Sequence, residues 1–235
     1  GKPNKTMTGK VVYTYDIMGN MTKVVGYNAN GLLSGKVVWT YDAKGNKTEE
    51  AKYDPRGTLW GKTVWTYDAM GNMTEVSGYN ANGSLDGKTV WTYDAKGNKT
   101  EEAKYNSIGS MDRKIVWSYD DKGNVTKEVR YSDGTLWGKT VWTYDAKGNK
   151  TEEAKYNSRG MPDGKVVWFY DDKGNMTKVV GYNANGSLSG YKVVWTYDDK
   201  GNKTEEVSYY HGSGTLAGKT VWTYDAKGNK TEEAK

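Results

Sequence analysis

The 235-residue sequence has no cysteine, a single histidine, a single phenylalanine and three prolines. Without cysteine there is neither a disulfide framework nor a thiolate metal site. The histidine, His211, lies in the loop Tyr209-Tyr210-His211-Gly212-Ser213-Gly214, which supplies no partner nucleophile or acid. A catalytic imidazole needs such a partner, so His211 reads as an exposed loop residue. No apolar run approaches the ~18 residues that a membrane-spanning helix needs, so membrane insertion is not expected. The polar N-terminal segment, residues 1–10, has no apolar stretch of the kind a signal peptide carries. A secretion signal is therefore expected to lie outside this chain. The net charge of +5 is spread through the chain without a basic stripe, which argues against nucleic acid as a partner.

Tyrosine, tryptophan and glycine are abundant: 20 Tyr, 10 Trp and 30 Gly. Tyr and Trp suit half-buried sheet surfaces, where the ring packs and the polar tip stays wet. With so little proline, the turns must rely on glycine at positive φ.

The stretch from Lys88 to Lys104 recurs unchanged from Lys139 to Lys155 and from Lys219 to Lys235. Copies this alike imply recent duplication or deliberate consensus design. A Tyr-Asp pair marks each repeat, at Tyr15, Tyr41, Tyr67, Tyr93, Tyr119, Tyr144, Tyr170, Tyr197 and Tyr224. Residues 11–235 are thus nine tandem repeats of about 26 residues in one repeat domain. Each repeat has two turn signals, such as Asp42-Ala43-Lys44-Gly45-Asn46 and Asn80-Ala81-Asn82-Gly83. Both fit a type I turn closed by a left-handed glycine, with the first Asp or Asn capping the turn. Between turns, apolar and polar residues alternate, as in Val37-Val38-Trp39-Thr40-Tyr41. The spacing predicts an all-β chain of about 18 strands: an elongated antiparallel hairpin repeat curling into a spiral, solenoid-like sheet.

Counting outward from the first turn, Tyr41 should oppose Lys47, Trp39 should oppose Glu49, and Val37 should oppose Ala51. The same phase carried onward puts Leu59, Thr63, Trp65 and Tyr67 on that face. The other face reads Lys36, Val38, Thr40, Thr48, Glu50 and Lys52, and is expected to be solvated, with Thr40 beside Thr48. A second period of about 52 residues lies above the first. The residue after each Gly-Asn is Met21, Lys47, Met73, Lys99, Val125, Lys150, Met176, Lys203 and Lys230. Alternate hairpins facing a better-buried environment would explain this alternation. Duplication of a 52-residue pair would explain it equally well.

These residues resemble the bacterial YD repeat, also called the RHS repeat. Its pattern, roughly Tyr-x-Tyr-Asp-x-x-Gly-x-Leu, is similar to Tyr13-Thr14-Tyr15-Asp16-Ile17-Met18-Gly19-Asn20-Met21; elsewhere Trp replaces the first Tyr, as in Trp65-Thr66-Tyr67-Asp68. The resemblance covers nearly the whole chain. It implies a long antiparallel strip of the kind that spirals into a shell on secreted toxins or bacterial surface proteins, hence an extracellular or cell-surface location. The sequence departs from the pattern in having Asn for the usual Arg after Gly and Lys at about half of the following apolar positions. The family's shell plug and autoproteolytic core region are missing, so toxin encapsulation is not carried over.

The chemistry-bearing residues read as structural. The Asp turns match neither the EF-hand nor the nonapeptide calcium repeat. Sequons such as Asn46-Lys47-Thr48 and Asn124-Val125-Thr126 follow from what the turn and strand each require. Glu49 and Glu50 are strand neighbours pointing to opposite faces, so they suit ion pairs with Lys rather than paired catalysis. No catalytic residue, cofactor or metal is expected, and the chain is read as non-enzymatic. The repeat-defining aromatics are the Tyr-Asp tyrosines together with Trp39, Trp65, Trp91, Trp117, Trp142, Trp168, Trp195 and Trp222. They read first as the fold's own packing face. Trp60 and Trp137 stand apart: they precede Gly-Lys where other repeats carry Ser34, Asp86 or Ser189. They are the expected exposed contact surface. The expected function is a repetitive structural and binding segment, with a glycan or a host or cell-surface protein as its partner. Alternatives are a carbohydrate-binding module and a sheet that self-associates through its open edges.

Overall fold

A computed structural model describes residues 9–210 and 213–235; His211 lies outside them, as does most of the polar N-terminal segment. The described residues form 18 strands and no helix. The chain divides into two compact units, one of residues 1–115 and 132–134, the other of 116–131 and 135–235. The first holds β1 (Lys10–Tyr15), β2 (Met21–Tyr27), β3 (Leu33–Tyr41), β4 (Lys47–Tyr53), β5 (Leu59–Tyr67), β6 (Met73–Asn80), β7 (Leu85–Tyr93) and β8 (Lys99–Asn106); β9 (Met111–Tyr119) has residues in both units. The second holds most of β10 (Val125–Ser132), then β11 (Thr135–Tyr144), β12 (Lys150–Tyr156), β13 (Pro162–Tyr170), β14 (Met176–Asn183), β15 (Leu188–Tyr197), β16 (Lys203–Tyr209), β17 (Leu216–Tyr224) and β18 (Lys230–Ala234).

Within each unit the pairing is an antiparallel meander between sequence neighbours. Among the described residues, the strands that pack closely together within a unit are sequence neighbours. Each unit is therefore a single open layer, with no second sheet or helix to bury a face.

The turns close as the sequence predicts. Asp42 N–H donates to the Asn46 carbonyl, and Gly45 N–H donates to the Asp42 carbonyl. Gly45 sits at φ 84°, where a side chain would be strained. Asp42 Oδ1 accepts from the Lys44 and Asn46 amides, and Oδ2 accepts from Asn46 Nδ2. Both carboxylate oxygens act in the cap, which accounts for one Asp per turn.

The register departs from simple counting. Tyr41 opposes Lys47 as expected, but Trp39 opposes Glu50 rather than Glu49, and Val37 opposes Lys52 rather than Ala51. A β-bulge at Thr48 inserts one residue, so the two-residue phase slips. A second bulge, at Trp60, slips it back: Lys52 opposes Gly61 while Tyr53 opposes Leu59. The two slips cancel over each repeat. Thr63, Trp65 and Tyr67 thus share the face of Trp39 and Tyr41, whereas Leu59 shares that of Tyr53. The expected Thr40–Thr48 contact forms, with the hydroxyls 2.8 Å apart.

The expectation of one aromatic face and one solvated face is corrected accordingly. Glu50 and Lys52 lie on the aromatic face. The opposite face carries Val38, Ala51, Tyr53 and Leu59, and among the described residues it holds the buried side chains apart from Val179, which lies opposite Trp168 on the aromatic face. Val25, Ala51, Ser77, Ala103 and Val180 are each below 9% exposed and occupy the same position in β2, β4, β6, β8 and β14. Lysine stems cover them. Lys62, opposite Ala51, runs to Glu49 at 3.0 Å, and Lys36 caps the Tyr53 ring at 3.8 Å. Long amphipathic side chains thereby do the work of a missing second layer.

The geometric explanation of the 52-residue period is overturned too. Met73 and Lys99 are both half-buried, and from Met21 to Lys203 the position keeps that class whichever residue fills it. The alternation is local chemistry, described next.

Candidate functional site

On the aromatic face each indole has one of two settings. Trp39, Trp91, Trp117, Trp142 and Trp195 donate Nε1–H to Glu50, Glu102, Glu128, Glu153 and Glu206 at 2.7 to 2.9 Å. In most of these hairpins a lysine completes the group. Lys47 lies 3.5 Å from Glu50 and 5.5 and 5.6 Å from the Trp39 and Trp65 rings, joining two repeats. Lys150 does the same between Trp142 and Trp168, and Lys203 between Trp195 and Trp222. In the other setting Trp65 opposes Val76, with Met73 in place of the lysine; Trp168 opposes Val179, with Met176. Lysine thus goes with glutamate, and methionine with valine.

The Tyr-Asp phenols are tied down as well. Tyr41, Tyr67, Tyr93, Tyr144, Tyr170, Tyr197 and Tyr224 donate to the carbonyls of Met21, Lys47, Met73, Val125, Lys150, Met176 and Lys203 at 2.7 to 2.9 Å. Each bond ties the end of one strand to the start of the preceding one. Burial raises the pKa of Tyr67, Tyr93, Tyr144, Tyr170 and Tyr197, and nearby turn carboxylates such as Asp42 and Asp68 add to the shift. These rings are internal ties. Tyr15, at the start of the series, is 55% exposed.

A third tie runs along the turns. Lys44 Nζ donates to the Ala69 carbonyl of the following turn at 2.6 Å, and Lys173 and Lys200 reach Asp199 and Ala226 in the same way. Lys122 and Lys147 make the corresponding bonds to Ala146 and Asp172.

Trp60 and Trp137 behave differently. They are 70% and 63% exposed, as the sequence suggested. Trp60 is the extra residue of its bulge, opposite no partner. Trp137 borders a shallow groove of about 580 Å³ in the second unit, with Glu128, Arg130, Trp142, Glu153, Lys155 and Asp163 among its walls. Arg130 stacks 5.8 Å above the Trp137 ring while its Nε holds Glu128 at 2.5 Å. The groove forms there because β10 and β12 both carry the glutamate setting. At Trp60 the following strand offers Val76 and Gly78 where β12 has Glu153 and Lys155. Among the described residues no group of His, Asp and Glu could hold a metal ion, and no helix is long and apolar enough to cross a membrane.

The solved structures similar to this chain include a chain of the Photorhabdus luminescens Tc holotoxin pore carrying TccC3-D651A. The match has 13% identity and a TM-score of 0.50, over 95% of this chain and 13% of that one. A porin-like protein from Bacteroides uniformis matches at 11% identity and a TM-score of 0.35, over 96% of this chain and 91% of that one. The TcdB2-TccC3 structure matches at 12% identity and a TM-score of 0.24, over 94% of this chain and 18% of that one. At such identities the first match shows a shared fold alone, and the other two carry no argument. No family model and no curated protein matches.

Proposed function

We propose that this chain is a non-enzymatic structural repeat of the YD/RHS type, serving as a scaffold segment at the surface of, or outside, a bacterial cell. One observation carries this reading. The repeated polar and aromatic groups are spent on internal ties, indole to glutamate within a hairpin, and phenol to carbonyl and turn lysine to turn carbonyl between one hairpin and the next. A chain built so is a spacer whose length is set by its number of repeats. The Tyr-Asp-x-x-Gly motif and the fold shared with the Tc holotoxin chain support the family reading. Proteolysis tests the scaffold: the repeats should resist trypsin despite their lysines, and rapid cleavage throughout would contradict it. Fractionation of the source cells, with an antibody to the repeat, tests the location.

The groove at Trp137 favours a second reading, a glycan-binding surface. An exposed indole flanked by balanced charges, Glu128, Glu153 and Asp163 against Arg130, Lys139 and Lys155, suits a neutral ligand with an apolar ring face. Tryptophan fluorescence across a polysaccharide panel separates the readings. Saturable change that is lost in Trp137→Ala supports glycan binding; no change with any polysaccharide leaves the scaffold alone.

A further inference from the structure

We propose that Asn185 is a site of spontaneous deamidation, activated by the turn that holds it, and that it reacts faster than the other two Asn-Gly pairs of the chain, Asn30-Gly31 and Asn82-Gly83. The reaction needs only water and groups present in the turn. The Gly186 backbone nitrogen gives its proton to solvent base and bonds to Asn185 Cγ. Nδ2 takes up a proton and leaves as ammonia, closing a succinimide ring. Water then opens the ring at either carbonyl, leaving aspartate or isoaspartate at this position. The sum is amide plus water to carboxylic acid plus ammonia, with nothing oxidised or reduced. Glycine in second place leaves the nitrogen unshielded, because it has no Cβ.

The three pairs form a graded series. All are exposed, in the second turn of a repeat. The nucleophile is held alike in each: Gly31, Gly83 and Gly186 sit at φ 79 to 83°, and donate N–H to the carbonyls of Asn28, Asn80 and Asn183 at 3.0 Å. The electrophile is held differently. The Leu32 amide goes to Asn28 Oδ1 at 3.0 Å, and among the described residues no donor bonds Asn30 Oδ1. Asn82 Oδ1 accepts from Ser84 N–H at 2.9 Å, an amide it shares with Asn80 Oδ1 at 3.1 Å. Asn185 Oδ1 accepts two bonds, from Ser187 N–H at 3.0 Å and from the Ser187 hydroxyl at 2.6 Å. That hydroxyl in turn accepts from Asn183 Nδ2 at 3.0 Å, and such a chain strengthens each bond in it.

Negative charge builds on Oδ1 as the nitrogen adds to Cγ, and donors already aimed at that oxygen lower the barrier. Asn82 and Asn185 both lie in the sequence Asn-Ala-Asn-Gly-Ser-Leu. A difference in rate between them therefore belongs to the fold and not to their neighbours in the chain. Isoaspartate would also add a methylene to the main chain. The bond from Gly186 to the Asn183 carbonyl would then lose its geometry, so the modification loosens the joint between β14 and β15.

Peptide mapping by mass spectrometry, on the whole chain kept folded at mildly alkaline pH, tests this. Trypsin puts the three pairs on separate peptides, and an isoaspartyl methyltransferase assay identifies the isoaspartate. The initial rate at Asn185 should exceed that at Asn82 several-fold, with Asn30 slowest. In urea, Asn82 and Asn185 should convert at the same rate. Ser187→Ala removes the hydroxyl and keeps the amide. It should slow Asn185 toward the Asn82 rate in the folded chain and leave the rate in urea nearly unchanged. Conversion of Asn185 no faster than Asn82 in the folded chain overturns the proposal. So does a difference that survives in urea, or one that Ser187→Ala leaves untouched.

Discussion

At the scale of single residues, the aromatic side chains fall into two groups that composition alone does not separate. Trp91 is half-buried and donates to Glu102, whereas Trp137 is 63% exposed. Trp91→Ala should therefore cost about 3 kcal/mol, the usual range for removing a large packed ring. Trp137→Ala should change stability by no more than about 0.5 kcal/mol. Urea denaturation of the two variants checks this, and equal losses would remove the distinction. Tyr93→Phe keeps the ring and deletes only the bond to the Met73 carbonyl, so its expected cost is about 1 kcal/mol.

At the scale of the hairpin, Lys99 and Glu102 act as one unit with Trp91. Lys99 lies 3.6 Å from Glu102 and 5.3 Å from the Trp91 ring. Lys99→Met alone leaves Glu102 short of charge, and Glu102→Val alone leaves Lys99 and the indole short of an acceptor. Each should cost about 1 kcal/mol, while the double change, which copies the Met73 and Val76 setting, should cost less than the two summed. A double-mutant cycle in urea decides; strict additivity would show the two positions to be independent. The sequence made the strands, the turns and the exposure of Trp60 and Trp137 legible, because glycine, Asp and alternation act locally. It hid the bulges at Thr48 and Trp60, because counting by twos assumes a regular strand. A signal was nevertheless present. Lys47 changes to Met73 where Glu50 changes to Val76, and two coupled positions three apart share a face only if an extra residue lies between them. The groove at Trp137 was hidden for a related reason: it needs glutamate in two successive hairpins, where the 52-residue period leads one to expect glutamate in every second one.

At the scale of the whole chain, nine copies of one turn make stability depend on pH in a repeated way. Asp16, Asp42, Asp68, Asp94, Asp120, Asp145, Asp171, Asp198 and Asp225 are all held below the ordinary Asp pKa, the bond from the Asn four residues on being the largest cause. Glu50 and Glu206 are lowered in the same direction, first by the Trp39 and Trp195 indoles. A group whose folded pKa is lowered adds stability above its unfolded pKa and loses it as pH falls through the folded value. The raised tyrosines act at the other end. Their stability is complete below the unfolded pKa of about 10 and is lost as pH rises through the folded values. The urea midpoint should therefore be level between about pH 5 and 9 and fall on both sides. Asp94→Asn should lower the midpoint at pH 7 and soften the acid fall without touching the alkaline one. Tyr93→Phe should soften only the alkaline fall. A midpoint that rises as pH drops below about 4 would show that the turn carboxylates are not held in their charged form by the fold.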